Sequence, residues 1–215
     1  MAEDRTWFGS GGASGNGSRG CAATGAMMVD MSTVQHLTAD QLDAGIDEFR
    51  RSPDDLGTVD MIVRRPAVDE REVLGECELV AGEGMVGDSY LTRGSSATAD
   101  GSPHPEAQLN IMNSRAIDLV AAGDRDRWAL AGDQFFVDLD LSVENLPVGT
   151  RLTIGTAVIE IAAKPHNGCA KFAARFGQEA VRWVNRDKHQ RRRGVCAMVI
   201  EPGEVRTGDP ITKLL

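Results

Sequence analysis

The sequence predicts a β-rich (α+β) domain, a mixed or antiparallel β-barrel with a few short peripheral helices. Three observations carry this expectation. Apolar residues alternate at period two through about seven short segments, as in half-buried strands. Those segments are joined by tight turns rather than by helical crossovers, the pattern of a closed antiparallel or mixed sheet. Glycine is frequent, 24 of 215 residues, while aromatic residues make up only 5%. That balance favours short strands and turns over a helical bundle.

Along the chain, residues 1–33 are expected to be a poorly ordered leader. Gly9 to Gly20 is a Gly/Ser/Asn tract with almost nothing to bury against its ordering entropy. Residues 34–215 then form a single domain. Its first element is a helix over Thr38 to Arg51: Thr38 and Gln41 fit a capping box, Leu42, Ile46 and Phe49 recur at helical spacing, and Ser52-Pro53 stops it. Strands are expected over Thr58–Arg65 and Glu72–Val80. A glycine-dense loop follows from Gly82 to Asp88, equally suited to joining strands or touching a ligand. Arg93 to Glu106 is polar and proline-broken, hence a surface loop. Further on, Gln108–Met112 is a strand, Ser114–Ala121 a helix, and Asp133–Leu139 a strand. Thr150–Ile154 and Ala157–Ala162 are separated only by Gly155-Thr156, the type II′ hairpin signature. Val195–Ile200, a turn at Pro202-Gly203 and a closing strand over Val205–Ile211 complete the domain.

Charge and cysteine usage narrow the function classes. A net charge of −9 argues against nucleic acid as a partner, since phosphate backbones demand surplus Lys and Arg. One basic run, Arg186 to Arg193, departs from this. It suits a solvated turn, and alternatively an anion contact near an active site. Cys21, Cys77, Cys169 and Cys196 form no C-x-x-C pair, which disfavours structural zinc. With neither a signal-peptide pattern nor a membrane-length apolar run, reduced thiols in a cytoplasmic protein are expected. No GxGxxG or phosphate-loop pattern is found, which disfavours nucleotide enzymes.

The most unusual segment is Lys164-Pro165-His166-Asn167-Gly168-Cys169-Ala170-Lys171-Phe172, directly after a strand and opening a helix that ends at Gly177. A second helical segment is expected from Gln178 to Asn185. A thiol in a helix's first turn lies near unpaired N–H groups and the positive end of the dipole, and His166, Lys171 and Arg175 could add positive charge. A thiolate is what attack, sulfur carriage or soft-metal ligation requires. A small apolar cysteine packed under a helix fits the spacing equally well. Cys77 and Cys196 fall within apolar strands and suit packing. His166 fits a base, a ligand or a polar loop residue; a Cys–His hydrolase also needs an orienting Asn or Asp, and Asn167 is too close in sequence.

Several blocks together resemble the MOSC domain, the module found at the carboxyl end of molybdenum-cofactor sulfurases and in free-standing proteins. They run from Gly84-Met85-Val86-Gly87-Asp88 through Asp138-Leu139-Asp140-Leu141, Leu146 to Leu152, Ile154-Gly155 and Val158 to Ile161. Gly168 to Phe172, Gly194-Val195, Pro202 to Val205 and Gly208-Asp209 continue them, so the resemblance spans about 72–212. It implies a barrel of the pyruvate-kinase-insert type and a cysteine, Cys169, that ligates molybdenum or carries sulfur. Oxidoreductase activity on N-hydroxylated small molecules is one implied function. The other is sulfur acceptance from a cysteine desulfurase, in which case pyridoxal phosphate belongs to that partner, since no Schiff-base lysine motif is found here. A binding module holding a small anion without chemistry is a third possibility. Two departures matter: Ser89-Tyr90 follows Gly87-Asp88 where Arg-His is common, and Ala107-Gln108-Leu109-Asn110 lacks the usual arginine. If basic residues hold a cofactor phosphate, Arg93, Arg115, Lys171 and Arg175 are the substitutes, with Asn110, Asn113 and Ser114 as neutral donors and Gly87 and Asp88 in the loop.

Overall fold

The computed structural model describes residues 36–214; the expected leader at 1–33 lies outside the described residues. In chain order the elements are α1 (Ala39–Ala44), α2 (Ile46–Phe49), β1 (Gly57–Arg64), β2 (Glu72–Leu74), β3 (Glu76–Val80), β4 (Gly84–Met85), α3 (Tyr90–Arg93) and β5 (Leu109–Asn113). There follow α4 (Ser114–Val120), β6 (Phe135–Asp138), β7 (Arg151–Ile154), β8 (Ala157–Ile161), α5 (Ala170–Phe176), α6 (Gln178–Arg186), β9 (Val195–Glu201), β10 (Gly203–Arg206) and β11 (Pro210–Lys213).

Seven strands close a mixed barrel in the order β11-β7-β8-β9-β5-β6-β1, with β11 pairing both β7 and β1. The β5–β6 pair is parallel; the other barrel neighbours are antiparallel. Closure leaves the sheet no open edge among these strands. The barrel strands alternate as the sequence requires, but both faces are apolar along β1, β5 and β6. Ile111, Phe135 and Val137 fill the barrel, while Met112, Phe136 and Val63 face a second core shared with Phe172, Phe176 and Trp183. In β1 a register shift between Val59 and Met61 lets Val59 and Ile62, three apart, both point inward.

Several expected boundaries change. The first helix is two short ones bent at Gly45, where a Cβ would overlap the Leu119 side chain of α4. The capping box of Thr38 and Gln41 is present in both directions. Glu72–Val80 is not one strand: it breaks at Gly75, with β2 pairing β1 and β3 pairing β10 and β4 in a separate three-stranded sheet. Leu79, Met85 and Val205 of that sheet extend the barrel core. The closing strand is likewise two, β10 and β11, because consecutive pieces serve different sheets. Neither break is visible in local periodicity, which is the same for both partners. The Gly155-Thr156 hairpin forms as expected, with Gly155 at φ 57°. No helix of the described residues is long and apolar enough to cross a membrane.

Candidate functional site

The segment 164–169 leaves β8 and crosses the outside of the barrel before α5 begins. Its end is held by α6: the Gly168 N–H donates to Asn185 Oδ1 at 2.9 Å, and Asn185 Nδ2 returns a bond to the Gly168 carbonyl at 3.1 Å. A Cβ at Gly168 would lie 3.2 Å from Val184 Cγ2, so glycine lets the loop lie close against α6. Cys169, the next residue, is the N-cap of α5; its side chain makes no capping bond and is exposed. Cys77 and Cys196 differ. Burial pushes their thiols up to about 12 and about 11, which keeps both protonated at neutral pH.

Cys169 opens on a cleft of about 630 Å³ whose walls also include Arg93, Ser95, Ser96, Asn110, Lys164 and His166. Among the described residues, the side chains of Arg93 and Lys164 make no ion pair, so two uncommitted cations border the thiol. Beneath it lies a buried network. Asp133, fully buried, accepts from Arg193 Nη1 at 2.8 and 2.7 Å, and His166 Nε2 lies 2.7 Å from its Oδ1. Burial works against the Asp133 charge, yet Arg193 and His166 hold its carboxyl well below the ordinary range. An ionised carboxylate only accepts, so His166 donates through Nε2 and carries its lone pair on Nδ1. Burial first, then the Arg193 charge, lowers the His166 pKa from 6.5 and keeps the ring neutral.

The structure brings together Cys169, His166, Arg93 and Asn110, and it places the other expected site residues elsewhere. Asn113 caps α4 through Oδ1 to the Ala116 N–H at 2.9 Å and spends Nδ2 on Ser52 and the Leu139 carbonyl. Ser114 and Arg115 border a different cleft with Asp60 and Asp118, and Arg115 is committed to Asp138 and Glu48 at 2.7 Å each. Lys171 and Arg175 both pair with Asp69, the latter also donating to the Leu130 carbonyl. Asp88 is buried and binds Arg65 through backbone N–H, Nε and Nη2 at 2.9–3.0 Å, while Gly87 packs on Arg64.

The basic run is solvated only in part: Arg186 and Lys188 are exposed. Arg192 and Arg193 are buried, with Arg192 stacked over Trp183 at 4.7 Å and Arg193 over Phe172 at 4.9 Å. Sequence reasoning missed Asp133 and Asn185, and it placed Arg193 only within a basic run suited to a solvated turn or an anion contact. Asp133 was visible only as the first residue of an expected strand, 33 positions from its histidine partner. The orienting acid that the Cys–His spacing lacked is therefore supplied from β6's approach.

The chain belongs to the MOSC domain family: the model of that domain matches residues 99–212. Two solved structures share the fold. The YuaD protein from Bacillus subtilis is 18% identical, with 72% of this chain and 93% of that chain covered at a TM-score of 0.51. A crystal structure described as a hypothetical protein is 17% identical, with 75% and 68% covered at 0.52. YiiM from Escherichia coli is 20% identical over 74% and 70%, at 0.48. No match is found among curated proteins.

Proposed function

We propose that the Cys169 cleft holds a pterin molybdenum cofactor and that the protein reduces small N-hydroxylated compounds. The observation carrying this is the combination in one cleft of an exposed thiol with two uncommitted cations, Arg93 and Lys164. A soft metal takes a thiolate, and a phosphate takes fixed positive charge, so this donor set fits both ends of such a group. Cys169 would ligate the metal, Arg93 and Lys164 would hold the phosphate, and Ser95, Ser96 and Asn110 would hydrogen-bond the ring system. When bound, the cofactor supplies the redox centre. Reduction of an N-hydroxyl group consumes two electrons and two protons and releases amine and water; His166, fixed by Asp133, would take one proton from solvent at Nδ1 and deliver it to the departing hydroxide, and solvent would supply the second to the nitrogen. The electrons come from an external donor protein.

Metal analysis tests this. Full-length protein expressed in a cofactor-producing host should carry stoichiometric molybdenum, and Cys169→Ala should carry none. Wild-type protein without molybdenum would overturn the reading.

The exposure of Cys169 also favours a second reading, sulfur carriage. A Cys169 thiolate would attack the outer sulfur of a persulfide on a pyridoxal-phosphate-dependent cysteine desulfurase, keep that sulfur and release the partner's thiolate. Incubation with such an enzyme should add the mass of one sulfur atom to Cys169; an unchanged mass rejects this role.

A further inference from the structure

A basic surface stands beside the Cys169 cleft, built from the β1–β2 loop, α5 and the stretch before β6. Asp69 of that loop accepts from Lys171 Nζ at 2.9 and 3.1 Å and from Arg175 Nη2 at 2.8 Å. Arg127 Nη2 donates to the Arg175 carbonyl at 2.6 Å, and its guanidinium lies 5.2 Å from the Phe176 ring. Arg71, two residues beyond Asp69, donates to the Glu70 carbonyl and pairs with no carboxylate among the described residues. Burial first, then the charges of Arg175, Arg65 and Arg93, lowers the Arg71 pKa against the pull of Asp69, so cations crowd around it. Arg71, Arg127, Lys171 and Arg175 thus share one paired carboxylate, in a chain whose net charge is −9. None of the four lines the Cys169 cleft, yet Lys171 lies two residues from the thiol in the first turn of α5. Two large apolar side chains are also exposed here: Val68, 70% exposed, precedes Asp69, and Leu91, 48% exposed, shares α3 with Arg93. Exposed apolar groups among unbalanced arginines are the make-up of a surface that binds another protein.

We infer that this surface docks the acidic face of the protein that donates electrons to the Cys169 centre, with Arg71, Arg127, Lys171 and Arg175 as its charged contacts. The inference rests on the reductase reading, in which two electrons enter the cleft for each N-hydroxyl group reduced. A donor must come close to the redox centre, and one seated on Lys171 lies beside the thiol. Such encounters bury little area and depend on charge steering, which a basic patch on an otherwise acidic protein supplies for an acidic partner.

Calorimetric titration of the full chain with oxidised flavodoxin, a small acidic redox protein, tests it. Saturable one-to-one binding is expected at an ionic strength of about 20 mM, weakened at least about tenfold at about 0.3 M, where exposed charges are screened. Arg71→Glu and Lys171→Glu should each weaken the low-salt binding about tenfold. Arg51→Glu should bind as wild type, because Arg51 precedes the start of β1 whereas the patch lies past its end. All three variants should retain the molybdenum content of the wild type, and reduction driven by the small donor benzyl viologen should be unchanged in them. Flavodoxin that does not bind overturns the inference, as does equal affinity in the wild type and both patch variants. Duplex DNA that binds as tightly and is lost in the same variants would also overturn it, by showing a surface for any polyanion. Failure of the cofactor reading shows separately, as wild-type protein that binds flavodoxin but carries no molybdenum.

Discussion

Asp133 and His166, brought together from the approach to one strand and the exit from another, meet at 2.7 Å under the loop that presents Cys169. The bond joins the barrel wall to the cleft. It fixes the ring of a histidine after proline in a polar loop, which desolvation first and then the Arg193 charge keep neutral against the opposing pull of Asp133.

Removing the acid should be costly. Asp133→Ala leaves the Arg193 guanidinium buried and unpaired, and a loss of about 3–5 kcal/mol of folding free energy is expected by urea denaturation. A double variant, Asp133→Leu with Arg193→Met, should recover part of that loss because neither charge then remains. Equal stability of single and double variants would show that the charge is not the cause.

The same network makes stability depend on pH. The folded-state pKa of His166 lies below its unfolded value of 6.5, so the unfolded chain binds more protons in the window between the two. This contribution is therefore fully present above pH 6.5 and is lost as pH falls through the folded pKa. Denaturation midpoints measured from pH 7.5 downward should decline, and His166→Gln should flatten that part of the profile. Below pH 3.8 Asp133 adds a loss of the same sign, because its folded pKa is also depressed.

Thiol reactivity should separate the cysteines. In native protein at pH 7.5, iodoacetamide should label Cys169 well before Cys77, which is half-buried, or Cys196, which is buried, since burial holds both of those thiols protonated. Peptide mapping on a Cys21→Ser background reads this directly. Labelling of Cys196 at the same rate would mean that the cleft opens far more than the geometry allows.

Gly194 offers a test of the fold. It immediately precedes β9 at φ 104°, and a Cβ there would overlap the Ile111 carbonyl of the neighbouring β5. Gly194→Ala should cost at least about 3 kcal/mol, from left-handed strain and separation of two backbone strands together. Gly149→Ala, at φ 86° but with open space around its would-be Cβ, should cost only about 1 kcal/mol.

Local chemistry was sufficient for much of this protein. Period-two patterning, the Gly155-Thr156 hairpin and the Thr38–Gln41 capping box each depend on neighbours in sequence, so they could be read without the fold. The place of Cys169 at the start of a helix was likewise legible from the strand before it and the Phe172–Phe176 spacing after it. What tertiary structure decided was which charges meet. Lys171 and Arg175 look available in sequence but are taken by Asp69, 102 and 106 residues away, and Arg115 by Asp138 and Glu48. Arg193 looked solvated and is buried on Asp133, 60 positions distant. A charge pair's cost and value depend on burial and on a partner's position, and neither is encoded in the residues beside it. The exposed thiol set by Gly168 and Asn185 belongs to both accounts: the sequence located the cysteine, and only the packing of α6 on the loop determined that it faces a cleft with cations still free to bind.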